Sequence, residues 1–142
     1  MENKITVDNI KDPQIYISNE ADKLFDNIKH YKEFRQLDNK DFFMLALMFG
    51  YLNKKRSPLK KQNRTKSGFT RERYLSENDK AVLKTIAIEE TGQIEVVNKI
   101  MEVFSIAEEF ANGGIIYLQK FIFDNPADFA KKFASTLKKL SV

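Results

Sequence analysis

Apolar positions along this chain recur mainly at helical spacing. Ala21, Leu24, Phe25, Ile28 and Tyr31 follow Ser18, a residue suited to cap a helix, with Glu20 and Asp22 in the first turn where the helix dipole favours acids. This predicts a first helix from Ser18 to about Arg35. The next stretch, Asp41–Leu52, is apolar on every side, the mark of a buried helix. Asp38 or Asn39 caps it, and it runs to about Asn53. Gly50 lies inside it at a cost of about 1 kcal/mol against Ala. Either another element packs closely there or the helix ends early. Ser76 and Asp79 have capping-box spacing and open a third helix, with Ala81, Val82, Leu83, Ile86 and Ala87 inward and Thr91-Gly92 at its close. Val96, Val97, Ile100, Val103, Phe104, Ala107 and Phe110 define a fourth.

Asn112-Gly113-Gly114 then predicts a left-handed cap or a tight kink, after which Ile115–Phe123 resumes as a short buried helix. Asn125-Pro126 opens a last helix, apolar at Ala127, Ala130, Phe133, Ala134, Leu137 and Leu140, and basic at Lys131, Lys132, Lys138 and Lys139. The period shortens only near the N-terminus. Ile15 and Ile17 alternate with polar neighbours, which suits a strand at Gln14–Ile17 or an extended arm. The expected fold is mainly α: a single compact domain over residues 1–142, with five or six helices around Phe42–Leu52 and Ile115–Phe123 and at most one short strand. Phe43, Leu47, Phe104 and Phe121 are expected in the core.

Charge changes the picture between the second and third helices. Residues 53–73 carry Lys54, Lys55, Arg56, Lys60, Lys61, Arg64, Lys66, Arg71 and Arg73 against Glu72 alone, a net +8 in a chain of net +4. The rest of the chain is therefore acidic. Ser57-Pro58 and Ser67-Gly68 are turn signals, and Lys60–Lys66 has no apolar residue to anchor it, so a mobile basic loop is expected. Such a loop neutralises phosphates and releases their counterions, which makes DNA a candidate partner and these nine residues the candidate nucleic-acid site. Phe69 and Tyr74, beside its Arg-rich end, are candidates to stack on bases. The competing readings are a solvated loop or a tag for an acidic partner.

Other chemistry is sparse. The chain has no Cys, which excludes disulfides and thiolate chemistry and fits a reducing cytoplasm. No apolar run reaches the ~20 residues that span a bilayer, and Met1-Glu-Asn-Lys does not resemble a signal peptide, so no membrane partner is expected. The last helix is amphipathic, but its narrow Ala- and Phe-rich face suits packing in a bundle or a dimer better than a membrane surface. Glu95, Glu102 and Glu109 lie along one helix face about 10 Å apart, too far to share one metal ion. They read as a solvated face, or as a dock for the basic loop of a second copy. His30, the single His, falls on the polar side of the first helix with no catalytic partner. Asn112-Gly-Gly lacks the spacing and Lys of a phosphate-cradling loop. No catalytic residue, metal or cofactor is expected.

Three stretches together carry a resemblance. Lys40–Tyr51 with Arg56-Ser57-Pro58-Leu59, then Ile86–Gly92, then Phe104 and Glu108–Gly114 resemble, in that order, the DNA phosphorothioation (Dnd) system-associated protein 4 family. The similarity spans about Lys40–Asp124. It departs at Phe110, where a Tyr is expected, and in the length of the basic loop. The resemblance implies a small accessory protein of bacterial or archaeal phage-defence loci, in which DNA carries sulfur in its backbone and partner proteins restrict unmodified DNA. It brings no catalytic residues with it. The leading expectation is a non-enzymatic DNA-associated factor. An adaptor that assembles defence proteins through acidic faces is the alternative, and a metal-dependent nuclease a remote one.

Overall fold

Two long helices form the spine. A computed structural model describes residues 12–124 of the protein, apart from the side chains of residue 33 and residues 121–124. In chain order the elements are β1 (Gln14–Ile15), α1 (Asn19–Ile28), α2 (Asn39–Leu52), β2 (Thr70–Arg71), α3 (Glu77–Thr91) and α4 (Ile100–Asp124), with short 3-10 turns between them. The mainly α expectation holds. Four α-helices lie among the described residues, and the expected last helix falls outside them.

Helix starts follow the polar caps. Ser18 Oγ accepts the Ala21 N–H ahead of α1, while Asp38 with Asp41 and Ser76 with Asp79 form reciprocal capping boxes on α2 and α3. Gly92 closes α3 in the left-handed conformation at φ 69°. α1 stops at Ile28, short of Arg35. Its inward face of Ala21, Leu24, Phe25 and Ile28 is complete there, and a 3-10 turn over Lys32–Phe34 carries Phe34 into the core instead.

The largest correction concerns Asn112-Gly113-Gly114. No cap or kink forms, and α4 runs unbroken through all three residues. α2 and α4 pack on each other more extensively than any other pair of elements. They cross antiparallel where glycines let the backbones meet. A Cβ added to Gly50 would lie 1.9 Å from the Phe110 carbonyl oxygen, and one added to Gly114 would lie 1.9 Å from that of Ala46. Close packing is thus the reason for Gly50, as it is for Gly114. Two expected helices are one because the missing side chains serve a helix crossing and not a turn.

Phe43, Leu47 and Phe104 are buried around this crossing; the Phe121 side chain lies outside the described residues. Beside it, Phe25 stacks on Phe42 at 4.6 Å between centroids, and Phe69 packs edge-on against both rings. Phe69 belongs to the basic stretch, so this stretch is tied into the core at its C-terminal end. β1 and β2 complete the tie. They pair antiparallel, Gln14 with Arg71 and Ile15 with Thr70, and β2 is a strand that the sequence pattern did not reveal.

Candidate nucleic-acid interface

The basic stretch leaves α2 by a sharp reversal. Lys54 takes a left-handed conformation at φ 54°, and the Lys55 N–H donates back to the Gly50 carbonyl at 2.7 Å. The chain then lies against α4. Ser57 N–H donates to the Glu109 carbonyl at 3.0 Å, and the Asn112 amide donates to the Pro58 carbonyl at 3.0 Å. Gly113 permits this approach, since a Cβ there would lie 2.0 Å from the Lys55 carbonyl oxygen.

Arg56 is the clasp of this entry. Its Nε donates to Glu109 at 2.7 Å and its Nη1 to Glu90 at 2.9 Å, with Phe110 under the guanidinium at 5.8 Å. Burial opposes the charge, but hydrogen bonds and attraction from Glu109 and Glu90 outweigh it and raise the Arg56 pKa. Next to the clasp, the Tyr51 hydroxyl donates to Glu89. A cleft of about 510 Å³ opens between these groups and Leu52.

The middle of the stretch is anchored through its backbone. A 3-10 turn spans Lys61–Asn63, Arg64 bridges to Ser18, and Thr65 N–H donates to the Ile17 carbonyl at 2.9 Å. The Arg64 guanidinium lies 3.9 Å over the ring centroid of Tyr16, whose N–H donates to Glu108 at 2.7 Å. These ties need no apolar side chain, so the lack of apolar residues in Lys60–Lys66 gives no sign of them. Glu108 carries no mark in the sequence that sets it apart from the acids near it. Burial pushes its carboxyl up to about 7, against the pull of the Tyr16 N–H and Arg64, while Glu109 nearby adds to the rise.

The nine candidate cations therefore divide. Arg56 is held by two carboxylates, and Arg71 and Arg73 both reach Asp12, at 3.7 and 3.2 Å. Arg64 is stacked on Tyr16. Lys54, Lys55, Lys60, Lys61 and Lys66 are exposed and make no ion pair with any described residue. Of the two candidate stacking rings, Phe69 is buried in the core, while Tyr74 is 57% exposed beside Arg73. His30 is exposed, as are Glu95 and Glu102, and the lysines of the last helix lie outside the described residues. Among the described residues no group of three His, Cys, Asp or Glu could hold a metal ion, and no helix is long and apolar enough to cross a membrane.

The stretches that carried the family resemblance are the ones that meet here. Arg56 grips Glu90 and Glu109, Asn112 holds Pro58, and Gly50 faces Gly114. Comparison with known families matches residues 14–141 to DNA sulphur modification system-associated protein 4. The chain belongs to this family. The match extends well beyond the Lys40–Asp124 region of the resemblance, taking in β1 and the C-terminal lysines. Membership ties the protein to a DNA sulphur modification system. No curated protein and no solved structure matches the chain.

Proposed function

We propose that this protein is a non-enzymatic accessory factor of a phosphorothioation-linked phage-defence system in the cytoplasm, and that it binds DNA through phosphate contacts from Lys54, Lys55, Lys60, Lys61 and Lys66. One observation carries the reading: these lysines are exposed and unpaired, within the described residues, on a segment whose backbone is anchored at both ends. Anchoring lowers the ordering cost on binding, and free ammonium groups are available to displace counterions. Lysine acts as a point charge and does not read base edges, so sequence preference is expected to be slight. Mobility shift with a labelled duplex at ~50 mM salt tests the reading; absence of a shift at micromolar protein contradicts it. An adaptor role is the second reading. It is favoured by a groove of about 570 Å³ between α2 and α3, where the half-buried Leu37, Met44, Met48 and Val82 present apolar surface.

A further inference from the structure

The strand pair has an outer face that neither the core nor the lysine site uses. From Pro13 to Ile17 the chain is extended, and the carbonyls of Pro13, Ile15 and Ile17 accept the N–H groups of Glu72, Phe69 and Thr65. Side chains therefore alternate: Pro13, Ile15 and Ile17 are buried, while Gln14 and Tyr16 face outward and are half-buried. Each end of this face holds an arginine against a tyrosine. At one end the Arg64 guanidinium lies 3.9 Å over the Tyr16 ring. At the other, the 3-10 turn Glu72–Tyr74 follows β2 and leaves Tyr74 57% exposed. Thr70 and Leu75, on either side of that turn, are buried, so the ring stands on a fixed base. Arg73 sits at its hydroxyl edge, with Nη2 3.4 Å from the Tyr74 oxygen. Between the ends, Arg71 pairs across the strands with Gln14. Arg71 and Arg73 share a single carboxylate, Asp12, so one of their two charges is left uncompensated. At about 3.3 Å per residue, Asp12 to Tyr16 spans roughly 13 Å, which a few nucleotides of one strand can follow.

We propose that this outer face binds unpaired DNA: bases stack on the Tyr74 ring and on the Arg64 guanidinium, and Arg71 and Arg73 meet the phosphates between them. Every base has a π face, so such stacking tolerates any sequence. A guanidinium already lying on a ring is a preformed plane and loses little freedom when a base covers it. In a duplex the bases are stacked inside and do not reach an exposed ring, so this face selects unpaired strands. The proposal deepens the DNA-binding reading above, but it uses none of the five lysines, so the two fail separately.

The test titrates the full chain at ~50 mM salt against a single-stranded oligonucleotide carrying a fluorescent base analogue, and against the same sequence as a duplex. Wild type should bind the single strand and quench the analogue by stacking. Y74A is expected to lose about five- to a hundredfold in single-strand affinity and most of the quenching, with duplex binding unchanged. Y74F keeps the ring and should behave as wild type. R64Q should also lose single-strand affinity, on a backbone held independently through Ser18 and Ile17. Equal loss on both DNAs in Y74A, or loss on neither, overturns the inference, as does single-strand binding by wild type without quenching. Duplex binding with no single-strand binding overturns it and leaves the lysine site standing. Single-strand binding with quenching but no duplex binding overturns the lysine site alone. No binding to either overturns both.

Discussion

Gly50 and Gly114 are the residues on which the fold is least able to compromise. A Cβ at either would lie 1.9 Å from a backbone carbonyl oxygen of the facing helix, and a backbone cannot swing aside as a side chain can. Overpacking of this kind typically costs about 1–3 kcal/mol, so G50A and G114A should each lower the free energy of unfolding, measured by denaturant titration, by that amount or more. Gly92→Ala is the contrast: nothing lies within 4 Å of its added Cβ, and only the φ of 69° opposes the change. Its cost should be near 1 kcal/mol. Equal losses at all three sites would mean that the crossing is looser than described. The same residues mark a limit of legibility. Gly50, inside an apolar helix, could be read as a close approach. Gly113 and Gly114 could not, because a Gly pair looks the same whether its missing side chains serve a turn or a helix crossing.

Among the elements, helix starts were legible because caps are local: Ser18, Asp38 and Ser76 act within three residues of their partners. Pairings distant in sequence were not. β2 exists because β1 lies beside it, and nothing in Thr70-Arg71 announces that. The ionic clasp of Arg56 on Glu90 and Glu109 likewise joins three separate stretches. The basic stretch is thus held at Lys55–Pro58 and again at Arg64–Phe69, with only a 3-10 turn over Lys61–Asn63 between. Within residues 53–73, brief trypsin treatment should cut first after Lys60 or Lys61. First cutting after Arg56 or Arg64 would contradict the anchors. α2 should behave as a core helix: Leu47, fully buried, should cost ~2–5 kcal/mol on truncation to Ala, and an unchanged melting temperature would contradict its placement.

For the whole molecule, charge is the property that matters, and stability should carry its signature. Glu108 has a folded-state pKa raised from 4.5 to about 7, so its contribution to stability is fully present below 4.5 and is lost as pH rises to about 7. Replacing it by Gln removes that loss and keeps an acceptor for the Tyr16 N–H. The stability of E108Q relative to wild type should therefore grow between pH 5 and 8, by on the order of 2 kcal/mol. A constant difference would mean that Glu108 is not desolvated in the folded chain. The excess positive charge of residues 53–73 was plain in the sequence, but its division was not. Formal charge counts arginines engaged by carboxylates equally with free lysines, and only the fold separates them.

That division is tested most directly by the salt dependence of duplex binding. With about four of the five free lysines on phosphates, log K should fall with log[salt] at a slope between about −3 and −4. Replacing Lys54, Lys55, Lys60, Lys61 and Lys66 together by Ser should flatten the slope and abolish most of the affinity at ~50 mM salt, with little change in stability because all five are exposed. R56Q should weaken binding while leaving the slope unchanged, since Arg56 is engaged by Glu90 and Glu109 and is expected to hold the stretch in place without a phosphate contact of its own. A slope that survives loss of the five lysines, or that falls with R56Q alone, would contradict the assignment.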